Sequence, residues 1–275
     1  MNEAEPRISP DSMRDIEVIE RDAWVDMHHA TPKPMQEALG LECVTIDDGV
    51  ALLCRKIDHI QFNRIAGLGV TQPVRAEALD QGIAAFDSAA LKNWIIHVVP
   101  DAEDLEALCV ARGLTPHPRT WAKFIREAEP PPAVTTDLSI REIGPAESEA
   151  FGATATAGFG MPPFLAGRLA GLPGRPKWRC FMAYDGAAPV AAGAIYVDGA
   201  VGWLGIGATL PTHRGRGAQS ALLAIRINAG IAAGCTTFTT ETGIPHPGEA
   251  GPSFGNIKKA GFRVAYERPN WRRET

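Results

Sequence analysis

The sequence predicts an α+β fold of two similar halves, each a mixed, mostly antiparallel sheet flanked by helices. Three observations support this prediction: an internal repeat, a proline-rich segment near the middle of the chain, and the same order of elements on either side of that segment. A chain of 275 residues has room for two small domains.

The repeat consists of two matches in the same order. Residues 67–73 read GLGVTQP and residues 205–211 read GIGATLP. Further along each half, ARGL precedes PRTW, which ends at Trp121, and KAGF precedes RPNW, which ends at Trp271. Between the copies, three consecutive prolines in 129–137 interrupt regular structure and form a spacer. We therefore predict a first domain over 1–128, a linker over 129–137 and a second domain over 138–275.

In the first half, apolar periodicity predicts an amphipathic helix over 15–28. The turn signal Asp47-Asp48-Gly49 joins two short strands, 42–46 and 50–56. A glycine-containing strand, a helix, a strand rich in β-branched residues and a helix closed by Gly113 are predicted next, over 63–71, 74–86, 94–99 and 101–112. The half ends in an extended stretch around Trp121.

The second half repeats this order. It opens with a strand over 138–143 and two helices, 146–157 and 163–170, before a hairpin that turns at Asp185-Gly186 between strands 178–184 and 190–197. A strand–helix–strand unit follows over 202–209, 217–233 and 236–240. The last two elements are a helix over 253–259, closed by Gly261, and a strand over 262–267.

Composition excludes several classes of protein. The formal net charge is −5, which argues against binding nucleic acid or an anionic membrane through the overall field. The five cysteines are far apart with no C-x-x-C spacing, so we expect free thiols and no metal site. The first ten residues are polar, unlike a signal peptide, and no apolar run approaches the ~18–20 residues of a membrane helix. These features predict a soluble cytoplasmic protein and do not indicate an oligomeric state.

The segment with the clearest chemistry runs over 209–220, TLPTHRGRGAQS. A strand leads into a turn with Gly215 and Gly217, and a helix follows. Such glycines let successive backbone amides point one way, and the helix N-terminus adds partial positive charge. The segment therefore predicts a cradle for a pyrophosphate. It lacks the Lys-Ser/Thr pair of a P-loop and the third glycine of the dinucleotide fingerprint.

Residues 214–219, RGRGAQ, resemble the coenzyme A loop of the GNAT superfamily of acyl-CoA N-acyltransferases, Q/R-x-x-G-x-G/A, with Gln219 as a departure. Residues 252–262, PSFGNIKKAGF, resemble its second signature, a helix ending in Gly-Phe. The resemblance covers the second half and extends to the first through the repeat, so the chain is similar to a tandem GNAT protein. The first copy looks degenerate, because VRAEALD follows Pro73 in place of the glycine turn.

The resemblance implies an N-acetyltransferase that moves an acetyl group from acetyl-CoA to a primary amine, without a metal. We expect the acceptor to be a small molecule. Acetyl-CoA is expected in a splay between 203–209 and 236–241, and the Gly205 and Gly207 pair suits a bulge that opens it. The implied cofactor-binding residues are Ala208, Thr209, Leu210, Arg214, Gly215, Arg216, Gly217, Ala218, Gln219, Ser220, Ser253 and Asn256.

The catalytic candidates are Glu241 and Tyr266. Glu241 ends a strand that lines the expected splay, so we assign it as the general base; His213 and His246 are weaker candidates. In the superfamily a tyrosine four residues before the Gly-Phe glycine often protonates the departing thiolate. That position is Ile257 here, and Tyr266 is the substitute we predict.

The first half is expected to pack on the second and to help shape the acceptor site. Its candidate wall residues, together with one from the second half, are Trp24, His28, His29 and Phe164. The alternative function is a non-catalytic coenzyme A-binding sensor or scaffold, which the missing tyrosine and the degenerate first copy favour. A nucleic-acid contact through RGRG is disfavoured, because interleaved aromatic residues are lacking.

Overall fold

The structure is a computed structural model that describes residues 8–100 and 102–274. Residues 1–7, which belong to the predicted polar N-terminal segment, lie outside this range. So does Asp101, the predicted start of a helix.

The first half begins with a long helix and continues with short strands. The elements are α1 (Pro10–Ala30), α2 (Lys33–Leu39), β1 (Leu41–Ile46), β2 (Gly49–Cys54), β3 (Arg64–Ala66), α3 (Ala76–Ser88), β4 (Ile95–His97), α4 (Glu103–Ala111), β5 (Leu114–Pro116) and β6 (Trp121–Glu127). Helix α1 begins after Ser9, whose hydroxyl accepts a hydrogen bond from the Ser12 amide at 3.1 Å.

The second half contains longer strands. The elements are β7 (Ser139–Ile143), α5 (Ser148–Gly158), α6 (Ala166–Ala170), β8 (Trp178–Asp185), β9 (Ala188–Asp198), β10 (Val201–Thr209), α7 (Ala218–Ala232), β11 (Thr237–Gly243), α8 (Pro252–Lys259), β12 (Arg263–Arg268) and β13 (Asn270–Arg273). The predicted order of elements is present, with boundaries that move by a few residues.

The strands form two mixed sheets, which confirms the predicted α+β class. The first sheet has the order β1-β2-β3-β4-β13-β5 and the second has the order β12-β6-β11-β10-β9-β8-β7. Each sheet contains one parallel pair, β3 with β4 and β10 with β11, and the remaining pairs are antiparallel.

The two halves exchange strands. Strand β6, from the first half, lies between β11 and β12 of the second sheet, and β13, from the end of the chain, lies between β4 and β5 of the first. The two tryptophans matched by the repeat lie in these strands: Trp121 begins β6 and Trp271 is in β13. The predicted domain boundaries stay a prediction, but each half completes its sheet with a strand from the other.

Helix α1 packs against both sheets. Its apolar residues Ile19, Ala23 and Met27 join the core formed by α5, α6 and one face of the second sheet, while Trp24 and Val25 pack on β2 and β3 of the first. The opposite face of the second sheet is covered by α7 and α8. The packing of the first half against the second is therefore part of the hydrophobic core.

One strand of the first half is shorter than predicted. The sequence predicts a strand over 63–71, but β3 ends at Ala66. Gly67 and Gly69 adopt φ values of +75° and +77°, a left-handed conformation that turns the chain out of the sheet.

Four of the five cysteines are buried, Cys43 is half-buried, and all are free thiols. None of the helices in the described ranges is long and apolar enough to cross a bilayer.

Candidate functional site

A cavity of about 940 Å³ lies where β10 and β11 separate. The two parallel strands pair only through Val201–Trp203 and Thr237–Thr239. Beyond these residues both strands continue without pairing to each other, and their following residues line the cavity. This is the splay that the sequence predicts.

A β-bulge shapes the wall that β10 contributes. The register against β9 shifts between Gly205 and Ala208, as expected for the glycine pair. Ile206 has a φ of +55°, which is strained for a β-branched residue. Arg226 of α7 stabilises the bulge, because its guanidinium donates hydrogen bonds to the carbonyls of Gly205 at 2.9 Å and Ala194 at 3.1 Å.

The loop before α7 presents backbone amides without acceptors. Gly215 and Gly217 both have a φ of +81°, and α7 begins at Ala218 with no acidic residue in its first turn. In the described part of the chain, none of the backbone N–H groups of 215–220 donates to a protein acceptor. Together with the N-terminus of a 15-residue helix, they form a site suited to an anion.

Side chains of this loop take different directions. Arg214 lines the cavity and donates to the Gly158 carbonyl at 3.3 Å. Arg216 turns away to ion-pair with Asp137 and Asp185, so only its backbone is available to a ligand. The Gln219 amide donates to the Thr209 hydroxyl at 2.8 Å, across the start of the splay.

Most of the predicted cofactor-binding residues meet at the cavity. Those that line it are Ala208, Thr209, Arg214, Gly215, Gly217, Ala218, Gln219, Ser220, Ser253 and Asn256. Leu210 and Arg216 are not among the lining residues. A segment of β10, the α7 loop and the start of α8 thus surround one continuous space.

The predicted base, Glu241, also lines the cavity and belongs to a buried charge cluster. Its carboxylate accepts a hydrogen bond from Arg268 at 2.6 Å and lies 3.5 Å from the Lys123 ammonium. Arg268 also donates to Glu17 at 2.8 Å and to Glu20 at 3.1 Å, and Lys123 forms an ion pair with Glu20. The cluster joins α1 of the first half to β6, β11 and β12.

The cluster keeps Glu241 ionised. Burial alone would raise the pKa of Glu241, but the charges of Lys123, Arg268 and Arg64 outweigh it and hold the pKa below its usual value. Burial and the Arg268 charge lower the pKa of Lys123 to about 8. Glu241 is therefore an anion at neutral pH and a weak proton acceptor.

The other catalytic candidates lie elsewhere. Tyr266 does not line the cavity; its hydroxyl donates to Glu17 at 2.6 Å, and burial together with the Glu17 charge raises its pKa well above the usual value. His246 is exposed and outside the cavity, whereas His213 lines it near the α7 loop. Ile257, at the position of the superfamily's tyrosine, is buried and faces the cavity.

Comparison with solved structures decides the fold. A GCN5-related N-acetyltransferase from Kribbella flavida matches with a TM-score of 0.61 and 17% identity, over 90% of this chain and 95% of that chain. Another from Sphaerobacter thermophilus matches with a TM-score of 0.59 and 16% identity, over 97% and 93%. A tandem GNAT protein from the clavulanic acid biosynthesis pathway matches with a TM-score of 0.54 and 13% identity, over 81% and 77%. The chain has a tandem GNAT fold. No protein-family profile matches it, and no curated protein matches its sequence.

In this tandem GNAT fold, the first half supplies a wall of the cavity. Trp24 lines it, as predicted, and packs against Trp203 with ring centroids 5.9 Å apart. His28 is buried behind the wall, His29 is exposed, and Phe164 lines a smaller neighbouring cavity of about 310 Å³.

Four arginines that line the cavity were not predicted as site residues from the sequence: Arg64, Arg168, Arg226 and Arg268. Arg64, in β3, and Arg168, in α6, are both buried and line the cavity. Neither belongs to a motif. No signal in the sequence distinguishes them from surface arginines, because their burial depends on how the halves pack.

Proposed function

We propose that this tandem GNAT protein is an N-acetyltransferase with one acetyl-CoA site, in the second half of the chain. The observation that carries the proposal is the row of backbone amides over 215–220 that have no hydrogen-bond acceptor in the described residues. This row is continuous with the open splay between β10 and β11. An anion-binding turn next to an unpaired strand edge suits a ligand with a diphosphate and an amide-containing arm.

The residues of the site suit the parts of acetyl-CoA. The amides of 215–220 and the Arg214 charge would hold the diphosphate. The unpaired edge of β10, at Ala208 and Thr209, would bind the pantetheine arm as an additional strand, with Ser253 and Asn256 of α8 on the opposite side. The bound thioester supplies the acyl group, and a backbone N–H at the β10 bulge would stabilise the developing oxyanion.

For the acceptor we propose a primary amine that attacks directly. Glu241 stays ionised, so its role is to attract and orient the amine or a water that takes the proton, and its own basicity contributes little. We propose no general acid, because Ile257 has no proton to donate and the Tyr266 hydroxyl is bonded to Glu17. The thiolate of coenzyme A is a fair leaving group without one.

The lack of an acid also favours the second candidate, a non-catalytic coenzyme A-binding sensor or scaffold. Such a protein would retain the α7 loop and would not need a group to protonate the thiolate. Turnover separates the two functions, because binding of acetyl-CoA is common to both.

The test is thiol release from acetyl-CoA with a panel of primary amines, with the acetylated product identified by mass spectrometry. The proposal predicts amine-dependent thiol release by the wild-type protein. Saturable acetyl-CoA binding without release on any amine of the panel would favour the scaffold function. Absence of acetyl-CoA binding would contradict both candidates.

A further inference from the structure

Two of the four buried arginines that line the cavity, Arg64 and Arg168, lie on elements that we do not assign to the cofactor. Arg64 is 7% exposed and Arg168 is 6% exposed, and both line the same cavity as the α7 loop. Within the described chain, neither guanidinium forms an ion pair with a carboxylate. Buried arginines are almost always paired, because an uncompensated buried charge is costly.

Arg168 has the fewest partners. Its Nε and one terminal nitrogen are buried and have no hydrogen-bond partner in the described structure. Its guanidinium carbon lies 5.3 Å from the centre of the Phe62 ring. Burial lowers the pKa of Arg168 to about 10, so the side chain remains a cation at neutral pH.

The charge of Arg168 also affects the pKa of His28, on α1. Burial, and then the Arg168 charge, lower the pKa of His28 to about 3. The imidazole is therefore neutral, and it adds no compensating or competing charge to the pocket.

Arg64, near Arg168, is held in a fixed orientation. One terminal nitrogen donates to the Gln61 carbonyl at 2.7 Å, and the guanidinium carbon lies 4.2 Å above the Trp24 ring. These contacts position the group but do not neutralise it. The charge of Glu241 partly offsets the effect of burial on the pKa of Arg64, but Glu241 is already paired with Arg268.

These arginines are separate from the elements that suit the diphosphate. Arg168 is on α6 and Arg64 is on β3, whereas the free amides belong to the α7 loop. The cavity therefore has a second cationic region, lined by Trp24, Phe62 and Trp203.

We propose that the acceptor is an amine that also carries an anionic group, a carboxylate or a phosphate, and that Arg168 binds this anion with Arg64 beside it. The aromatic residues contact the carbon skeleton between the two groups, and Glu241 attracts the amine. This inference rests on the proposed acetyl transfer. It adds a substrate class, amines with an attached anion, of which amino acids are the simplest.

The experiment compares amines in matched pairs. L-phenylalanine is paired with L-phenylalaninamide, and O-phosphoethanolamine with ethanolamine. Rates are compared per unprotonated amine, because removing the anion also lowers the pKa of the amine. We expect at least one anionic member to exceed its neutral partner in kcat/KM by about 10- to 100-fold, the value of a charge-assisted hydrogen bond. The pair that shows the preference identifies the anion as carboxylate or phosphate.

Variants of Arg168 connect the preference to the site. Arg168→Gln should abolish it mainly through KM and leave the Kd for acetyl-CoA unchanged, and Arg168→Lys should restore part of it. The control is Arg14→Gln. Arg14 is exposed on α1 and does not line the cavity, so this variant removes the same charge and should leave the preference unchanged. Thermal unfolding of each variant checks that it is folded.

Three results would overturn the inference. Neutral amines could be equal or better substrates in both pairs, Arg168→Gln could retain the preference, or Arg168→Gln could weaken acetyl-CoA binding instead. Calorimetric titration of the anionic amines into the protein with coenzyme A tests the site without turnover. Arg168-dependent binding with no acetylated product would support the anion site and contradict acetyl transfer. Turnover of neutral amines alone would support acetyl transfer and contradict the anion site.

Discussion

The two copies of the repeat lie in different surroundings, one as a turn after β3 and the other at the end of β10. After β3, the carboxylate of Asp48 accepts hydrogen bonds from the amides of Gly69 at 2.9 Å, Thr71 at 2.6 Å and Gln72 at 3.3 Å. In the second half, the corresponding residues 205–209 belong to β10 and border an open splay, and within the described residues the amides of the loop that follows have no protein acceptor. The segment after β3 therefore binds an anion of its own chain, whereas the loop that follows the matching segment in the second half is free to bind an external one.

The side chains around the two segments also differ in charge: they are more acidic in the first half than in the second. In the first half, Arg75 is paired with Asp47, and Glu77 lies in the first turn of α3. In the second half, the first turn of α7 has no acid, and Arg214 faces the cavity. The first copy therefore differs from the second in two ways: it lacks the glycine turn, and carboxylates occupy or border its amides.

The largest expected effect is on acetyl-CoA affinity, when a carboxylate is introduced into the loop over 215–220. Gly215→Asp places a carboxylate where the diphosphate would bind, and we expect acetyl-CoA affinity to fall by more than about 100-fold, because like charges at close range cost several kcal/mol. Calorimetry measures the change. Gly215 suits the substitution, because a Cβ there would meet no atom within 4 Å, whereas one at Gly217 would lie 2.8 Å from the Thr135 carbonyl.

Two controls separate charge from backbone strain. Gly215→Asn has the same shape and tolerates the positive φ, so it should bind acetyl-CoA nearly normally. Gly199→Asp introduces the same residue at a φ of +54°, where a Cβ would meet no atom of the described residues within 4 Å, and Gly199 does not line the cavity. Equal loss of affinity in Gly215→Asp and Gly215→Asn would assign the effect to geometry and contradict the anion site.

The next effect concerns the reaction. Glu241→Gln removes the one carboxylate that lines the cavity in the described residues, and we expect kcat to fall by about 10- to 100-fold while the Kd for acetyl-CoA stays the same. Steady-state kinetics and titration provide the two values. Because Glu241 is ionised throughout the neutral range, the wild-type rate should rise with pH as the acceptor amine loses its proton. An unchanged kcat would remove Glu241 from the mechanism.

A smaller effect is expected in the first turn. Asp48→Asn leaves three amides facing a neutral side chain, and we expect the free energy of unfolding to fall by about 1–2 kcal/mol. Urea denaturation measures the loss. Acetyl-CoA binding should be unaffected. A change in its affinity would mean that the first turn contributes to the cofactor site.

The smallest effect concerns the contact between the halves. Asp26 of α1 accepts hydrogen bonds from Arg175 at 2.7 Å and from the Trp178 indole at 2.7 Å. Burial opposes ionisation of Asp26, but these partners lower its pKa, so the contact stabilises the fold above about pH 4 and weakens as the pH falls below that value. Asp26→Asn should lower stability by about 1 kcal/mol at pH 7 and match the wild type in strong acid. A difference that persists in acid would exclude the charge as its cause.

The sequence could predict the parts of this molecule that depend on neighbouring residues. The repeat, the glycine turn at 215–217 and the bulge at 205–207 are local features, and each is present in the structure. The exchange of β6 and β13 is not local, since a strand has the same pattern in either sheet. The buried cluster follows from that exchange, because Lys123 arrives on β6 and meets Glu241 across the strand pair.

The burial of the acidic residues of α1 could not be predicted from the sequence either. Glu17 and Glu20 would be read as solvent-facing in any helical pattern, yet both are buried with Ile16 and Ile19. Their partner Arg268 lies near the other end of the chain. Arg64 and Arg168 are similar cases, because only tertiary packing buries them.

We propose that the second half binds acetyl-CoA through the loop over 215–220, and that the first half, where Asp48 binds the amides after β3, does not. Calorimetric titration of the wild-type protein with acetyl-CoA tests this most directly. We expect one site per chain, which Gly215→Asp abolishes and Asp48→Asn leaves intact. Two sites per chain, or one site that survives Gly215→Asp, would contradict it.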